Sequence, residues 1–131
     1  MAGKTDKSWQ ILVVEDDDGF RELICEILES HGYEVISAVD GKQAVTLATQ
    51  NEPDLILLDL AMPQIDGWDV LRALRINNLL DKSKVCILTG LESPEKMNYA
   101  LQQGAAGYIV KSAESFSVAG FLTKVKDILE H

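Results

Sequence analysis

The sequence predicts an α/β fold in which a doubly wound, five-stranded parallel sheet lies between two layers of helices. Short runs of aliphatic and β-branched residues alternate with amphipathic stretches five times along the chain. Several of the runs are nearly continuous in Val, Ile and Leu, as expected of strands that are covered on both faces. Parallel strands are joined by right-handed crossovers, so few topologies fit this alternation. The predicted strands cover residues 10–14, 34–38, 55–58, 85–89 and 107–110.

Each of the five predicted helices has an apolar face at helical spacing and a recognisable beginning or end. In the first helix, Asp18 is the predicted N-cap and Gly32 is placed to end the helix. In the fourth, Ser93 is the predicted cap and Pro94 suits the first turn. The predicted helices therefore begin at Asp18, just after Asp40, near residue 67, just after Ser93 and near residue 115.

Length and composition indicate one domain with one core. The chain has 131 residues, of which 47% are hydrophobic and 25% charged. We expect residues 1–9 to form a polar N-terminal extension and residues 10–131 a single domain. The last three residues, Leu129-Glu130-His131, resemble the start of an expression tag, which is compatible with an excised domain.

Charge and hydropathy exclude several classes of partner. The net charge is −9 and the pI about 4.6, so we expect neither direct nucleic-acid binding nor binding to anionic membranes. No apolar run approaches the ~20 residues of a membrane span and no secretory signal is visible, so we expect a cytoplasmic protein. Cys25 and Cys86 lie in apolar runs without His or Cys at ligand spacing, so we expect buried thiols and no zinc site.

Polar side chains follow four of the predicted strands where each strand ends. The first strand runs into Glu15-Asp16-Asp17-Asp18, the third into Asp59, the fourth into Thr89 and the fifth into Lys111. Ligands of doubly wound sheets bind outside the carboxyl ends of the strands, so we expect these groups to converge on one site.

The chemistry of that group favours phosphoryl transfer to a carboxylate. Clustered carboxylates repel one another unless a cation lies between them, and Mg²⁺ suits oxygen ligands and phosphoryl groups. Asp59 is the predicted nucleophile, since an Asp carboxylate can form an aspartyl phosphate. In this interpretation Asp16 holds the metal, Glu15 orients its waters, Lys111 neutralises the phosphoryl oxygens and Thr89 donates a hydrogen bond.

Each residue also has an ordinary structural interpretation. Asp17 and Asp18 suit loop or capping roles, Thr89 suits a strand end and Lys111 suits a solvated surface. Asp59 is harder to explain in this way, because it ends a buried strand without an evident turn role. The combination of four strand ends is what makes the functional interpretation specific.

These residues make the chain similar to the receiver domain of two-component response regulators. The resemblance covers about residues 10–129. It implies a flavodoxin-like sheet with the order 2-1-3-4-5. The matching segments are Ile11-Leu12-Val13-Val14-Glu15-Asp16-Asp17, Asp54-Leu55-Ile56-Leu57-Leu58-Asp59, Met62-Pro63, Asp66-Gly67, Ile87-Leu88-Thr89-Gly90 and Gly104-Ala105-Ala106-Gly107-Tyr108-Ile109-Val110-Lys111.

The resemblance implies a role for each residue of the site. Asp59 is the implied phosphoacceptor, which takes a phosphoryl group from a histidine kinase or a histidine phosphotransfer protein. Asp16, Asp59 and the backbone carbonyl of Ala61 are the implied Mg²⁺ ligands, with Glu15 acting through water. Lys111 and Thr89 are the implied residues that bind the phosphoryl group. Thr89 and Tyr108 are the implied switch residues, which change position when Asp59 is phosphorylated.

The implied output is a population shift that changes the surface formed by the fourth helix, fifth strand and fifth helix. The resemblance also implies that the chain catalyses only its own phosphorylation and dephosphorylation, as a monomer or a phosphorylation-dependent dimer. It applies equally to a stand-alone receiver, a phosphorelay shuttle and a part of a larger regulator or hybrid kinase.

One departure from the family pattern is Ser112, where proline with a cis peptide usually follows the lysine. A cis bond before a residue other than proline costs roughly 3 kcal/mol, which favours a trans peptide here. This departure keeps open a receiver that docks independently of phosphorylation.

Two other classes of protein were weighed. A phosphatase of the haloacid dehalogenase type would have Asp two residues after its nucleophile, where this chain has Ala61. A flavodoxin-like FMN binder would have a Gly- and hydroxyl-rich phosphate loop, where this chain has four acids.

Overall fold

The architecture is a parallel sheet of five strands with order β2-β1-β3-β4-β5, seen in a computed structural model that describes residues 9–60, 66–90, 93–111 and 116–130. All four strand pairs are parallel, which confirms the predicted doubly wound fold and its order. The elements along the chain are β1 (Gln10–Val14), α1 (Asp18–Ser30), β2 (Glu34–Ala38), α2 (Gly41–Asn51), β3 (Leu55–Leu58), α3 (Gly67–Ile76), a short 3-10 helix (Leu79–Asp81), β4 (Lys84–Thr89), α4 (Pro94–Gln102), β5 (Gly107–Val110) and α5 (Val118–Glu130).

Alternating residues of the strands pack into two separate apolar clusters, one on each face of the sheet. In β1, Leu12 and Val14 pack in the cluster with α2, α3 and α4, whereas Ile11 and Val13 pack in the cluster with α1 and α5. Because side chains alternate along a strand, nearly every buried position of the sheet contributes to one cluster or the other. This is the predicted three-layer α/β/α arrangement.

The N-cap of α1 is Asp17, so the prediction of Asp18 is wrong. The backbone of Asp17 is extended, with φ −75° and ψ 112°, and its Oδ2 accepts a hydrogen bond from the backbone N–H of Phe20 at 3.2 Å. Asp18 is already helical, and its Oδ1 pairs with Arg21 Nη2 at 2.5 Å. Two adjacent aspartates both suit a cap, and the backbone conformation decides between them.

The ends of the other helices and strands agree with the prediction or differ from it by a few residues. Ser93 caps α4 through the backbone N–H of Lys96, and Gly32 follows α1 with φ +90°, a left-handed conformation that favours glycine. The helix α5 begins at Val118, later than predicted, because Ser117 Oγ accepts the backbone N–H of Gly120 at 3.1 Å. The 3-10 helix was not predicted, and β4 begins one residue early, at Lys84.

Two further expectations concern thiols and membrane spans. Cys86 is buried as expected, whereas Cys25 is only half-buried because it lies at the edge of the buried face of α1. Within the described ranges, no helix has both the length and the apolarity needed to cross a bilayer.

Candidate functional site

The predicted site residues that the structure describes lie together at the carboxyl edge of the sheet. They surround an open pocket of about 310 Å³. Ala61 lies outside the described residues, as does Ser112. Tyr108 lies on β5 but is not among the pocket residues. The pocket is lined by Glu15, Asp16, Asp17, Asp59, Thr89, Gly90 and Lys111.

Three carboxylates form the acidic side of this pocket. One oxygen each of Glu15, Asp16 and Asp59 lies within 4.8 Å of the others. Glu15 is 2% exposed and Asp59 4%, while Asp16 is half-buried. Backbone hydrogen bonds continue the sheet past the strand ends and fix the backbones of Glu15 and Asp59. The N–H of Asp59 donates to Val14 O, and the N–H of Glu15 donates to Ala38 O, both at 3.1 Å.

Lys111 provides the positive charge on the opposite side of the pocket. Its Nζ lies 3.2 Å from Asp59 Oδ2 and also donates to Glu15 Oε1. Its backbone N–H donates to Thr89 O at 2.8 Å, so the ladder between β4 and β5 directs the side chain toward β3. The Lys111 side chain is 17% exposed, so this ammonium is largely withdrawn from water.

Burial and pairing shift the pKa values of two of these groups. Burial raises the pKa of Glu15 from 4.5 to about 7, although the hydrogen bonds from Lys111 and the Asp17 backbone oppose this. Burial by itself lowers the pKa of Lys111, but the hydrogen bond to Glu15 and the charge of Asp59 outweigh it, so the net pKa is raised. Lys111 is therefore a fixed cation, and the pKa of Glu15 lies above its ordinary value.

Gly67 is a site residue whose role the sequence analysis did not recognise. A Cβ at Gly67 would lie 2.4 Å from the backbone oxygen of Asp59 and 2.4 Å from Leu60 Cα. The Gly67 N–H donates to Leu60 O at 3.0 Å, which joins the first turn of α3 to the end of β3. Glycine is needed here because the helix approaches the backbone of Asp59 more closely than a side chain permits. The sequence signal for this contact is the Asp66-Gly67 pair, which also matches the family pattern.

The first turn of α1 supplies two further contacts that the sequence analysis missed. Arg21 Nη1 donates to the backbone oxygen of Glu15 at 3.0 Å. The ring of Phe20 lies beside Lys111, with Nζ 4.7 Å from the ring centroid. Phe20 was predicted only as part of the apolar face of α1, and helical spacing alone gives no sign that its ring reaches the lysine.

Thr89 and Tyr108 occupy neighbouring strands on the same side of the sheet. Ile87 pairs with Tyr108, and Thr89 pairs with Val110 two residues on. Because facing alternates along a strand, Thr89 shares the face of Ile87, which belongs to the same cluster as Tyr108. Thr89 is fully buried and Tyr108 is 5% exposed, so the tyrosine ring is packed inward in this structure.

This donor set has a definite chemical character. The three clustered ligand groups are carboxylates, which suit a hard, oxygen-preferring divalent cation rather than a soft transition metal. The buried carboxylate of Asp59 is next to a fixed ammonium, which suits a reaction that brings negative charge to that oxygen. The fold and pocket define a doubly wound α/β domain with a carboxylate site at its carboxyl edge.

The chain belongs to the family of response regulator receiver domains. The family model "Response regulator receiver domain" matches residues 11–119. Relatives include the DNA-binding dual master transcriptional regulator RpaA of Synechocystis sp., which is 36% identical over 92% of this chain and 48% of its own length. The transcriptional regulatory protein PrrA of Mycobacterium tuberculosis is 38% identical over 92% of this chain and 49% of its own length. This family consists of signalling domains and not of conventional enzymes.

Solved receivers have the same fold. The BeF3-activated N-terminal receiver domain of Klebsiella pneumoniae RstA is 30% identical, with a TM-score of 0.83 over 93% of this chain and 99% of that one. The chemotaxis protein CheY4 of Vibrio cholerae is 29% identical, with a TM-score of 0.84 over 92% of this chain and 98% of that one. The chain spans about half the length of the curated relatives it matches, so it corresponds to their receiver portion.

Proposed function

We propose that Asp59 accepts a phosphoryl group from a phosphohistidine of a histidine kinase or histidine phosphotransfer protein, in a Mg²⁺-dependent reaction. The observation that carries this proposal is the contact between Lys111 Nζ and Asp59 Oδ2 at 3.2 Å, beside the carboxylates of Glu15 and Asp16. A buried carboxylate so close to a cation and to other carboxylates is poorly explained by stability alone, because several ions must be withdrawn from water.

In the proposed reaction, one Asp59 carboxylate oxygen attacks phosphorus and forms the acyl phosphate bond. The bond between phosphorus and the donor imidazole breaks with its electron pair left on nitrogen, and because the other ring nitrogen of the donor carries a proton, the imidazole leaves as neutral histidine. Lys111 stays protonated because its pKa is raised, so its charge is available to the incoming phosphoryl oxygens. The Thr89 hydroxyl, buried at the adjacent strand end, is the proposed hydrogen-bond donor to one of those oxygens.

The proposed metal ligands are Asp16 and Asp59 directly and Glu15 through water. Asp16 is half-buried and lines the open pocket, which suits a cation that keeps several waters. From the family resemblance, the backbone carbonyl of Ala61 is the third protein ligand. When bound, Mg²⁺ neutralises charge on the carboxylates and the phosphoryl oxygens.

The proposed signal passes through Thr89 and Tyr108 to the surface formed by α4, β5 and α5. Their shared face of the sheet supports this route, because a movement of Thr89 toward the phosphoryl group changes the space beside Tyr108. The proposal assigns an inward position of the Tyr108 ring to the phosphorylated form.

The wider setting is also a proposal. We place the receiver at residues 10–131 and a polar extension at residues 1–9, in a cytoplasmic protein that acts as a monomer or a phosphorylation-dependent dimer. The net charge of −9 supports a protein partner over direct contact with nucleic acid or membrane by this chain. The only reactions we assign to the chain are its own phosphorylation and dephosphorylation.

The test is incubation with acetyl phosphate and Mg²⁺, followed by intact-protein mass spectrometry. We expect the wild type to gain one phosphoryl group, with no gain when Mg²⁺ is chelated or in Asp59→Asn. Asp69→Asn, an exposed carboxylate of α3, is the matched control and should be labelled like the wild type. Equal labelling of Asp59→Asn and wild type would contradict the assignment of the acceptor.

A further inference from the structure

The Lys111 ammonium has neighbours of two different kinds. Glu15 and Asp59 contact it as carboxylates, and the Phe20 ring contacts it at 4.7 Å from the centroid. This distance is within the range of a cation–π interaction, in which the negative face of the ring attracts the cation. The lysine side chain is 17% exposed, and such contacts are stronger when water is excluded.

Of the contacts that Lys111 makes with the described residues named above, only the aromatic contact is independent of the chemistry of the pocket. If Glu15 and Asp59 turn toward a divalent cation, their electron pairs are no longer fully available to Lys111. A phosphoryl group on Asp59 also removes the negative charge of the carboxylate that the ammonium contacts. The Phe20 ring binds neither metal nor phosphoryl group, so its attraction for the ammonium persists through these changes.

The position of Phe20 is fixed from two sides. Its backbone N–H is bound by the N-cap Asp17 at 3.2 Å, which sets the first turn of α1. Its ring makes an edge contact with Phe116, with centroids 6.0 Å apart and planes at 69°. Phe116 in turn contacts Phe121 of α5, which is 2% exposed, with centroids 5.5 Å apart. Both spacings are typical of stabilising aromatic pairs, so a continuous aromatic row connects Lys111 to the buried core under α5.

We propose that Phe20 is a positioning residue that holds the Lys111 ammonium toward the Asp59 phosphoryl group when Glu15 and Asp59 no longer hold it, and that Phe116 and Phe121 support its ring. This inference rests on the proposed function of Asp59. It assigns Phe20 no contact with the phosphoryl group itself. Its effect is therefore confined to states in which Lys111 has to bind a phosphoryl group.

The test compares Phe20→Leu, which removes the ring, with Phe20→Tyr, which keeps it. Leu23→Ala is the control, because it shortens a 48% exposed apolar side chain of the same helix. For each variant we would measure the melting temperature, the affinity for Mg²⁺ alone, and the affinity for beryllofluoride, a phosphoryl mimic, at saturating Mg²⁺. Binding would be followed by the intrinsic fluorescence of the two tryptophans, Trp9 and Trp68.

We expect Phe20→Leu to bind beryllofluoride about fivefold more weakly than the wild type, which corresponds to about 1 kcal/mol. The affinity of Phe20→Leu for Mg²⁺ should be unchanged. Phe20→Tyr retains the ring, so it should bind beryllofluoride within about twofold of the wild type. Leu23→Ala should match the wild type in both affinities.

Two results would overturn the inference and leave the proposed function intact. One is equal beryllofluoride affinity in Phe20→Leu and wild type. The other is a loss in Phe20→Leu that appears equally in Mg²⁺ affinity, which would indicate a general packing role. By contrast, wild type that binds no beryllofluoride and takes no phosphoryl group at Asp59 would refute the proposed function itself.

Discussion

Replacing Gly67 with alanine should disturb the backbone of Asp59 directly. The added Cβ would lie 2.4 Å from Asp59 O and 2.4 Å from Leu60 Cα, and 3.0 Å from Leu60 C. All three are backbone atoms at the end of the central strand β3, so no flexible side chain can move away to relieve the overlap. Either α3 moves outward or the end of β3 shifts, and in both cases the carboxylate of Asp59 moves relative to Lys111.

The expected cost follows from this overlap. Overpacking a well-packed interior typically costs 1–3 kcal/mol, and a helical Gly→Ala exchange returns roughly 0.5–1 kcal/mol. We therefore expect Gly67→Ala to lower the free energy of unfolding by about 1 kcal/mol. For a domain of this size, 1 kcal/mol corresponds to about 4 °C, so the melting temperature should fall by about 4 °C.

Gly19 gives a matched control within the same chain. It also lies in the first turn of a helix, α1, but a Cβ there would meet nothing within 4 Å. Gly19→Ala should therefore be neutral or more stable by about 0.5 kcal/mol, because alanine reduces the entropy of the unfolded chain. Urea unfolding of both variants and their labelling by acetyl phosphate provide the measurements. If Gly67→Ala were as stable and as readily phosphorylated as Gly19→Ala, the close approach of α3 to Asp59 would be wrong.

Two further predictions concern protons and metal at the same carboxylates. When Mg²⁺ is removed by a chelator, the raised pKa of Glu15 means that its carboxyl group holds a proton more tightly in the folded protein than in the unfolded chain. The contribution of Glu15 to the free energy of unfolding is therefore complete below pH 4.5 and is lost as the pH rises to about 7. Glu15→Gln should therefore change the pH dependence of urea unfolding across that window, and parallel profiles for the variant and the wild type would contradict this. Separately, Mg²⁺ at tenfold its dissociation constant should stabilise the wild type by about 1.4 kcal/mol and Asp16→Asn by much less, as measured by thermal melting. An unchanged wild-type melting temperature would count against a metal site.

The strands and their pairing could be predicted because they depend on local signals. Runs such as Leu55–Leu58 are continuously aliphatic, and the residue after each run marks the edge where ligands bind. The sequence alone therefore predicts that Asp59, Thr89 and Lys111 lie at one site. The strand order came from the family resemblance, since periodicity alone does not choose among doubly wound arrangements.

Features that depend on contact between distant elements could not be predicted in this way. Helical spacing placed Phe20 on the buried face of α1, but the position of Lys111 over its ring depends on how α1 packs beside β5. Gly67 is needed because of the distance between α3 and the backbone of Asp59, which the sequence does not encode as a pattern. The choice between Asp17 and Asp18 as N-cap depends on backbone angles, because both residue types cap helices well.

Locating the phosphoryl group on the labelled protein tests the central claim most directly. Borohydride reduces an acyl phosphate of aspartate to homoserine, so peptide mapping after reduction identifies the acceptor residue. We predict homoserine at position 59 in wild type treated with acetyl phosphate and Mg²⁺, with position 16 remaining aspartate. Homoserine at any other position, or a phosphoryl group on serine, threonine or histidine that resists reduction, would contradict the assignment of Asp59.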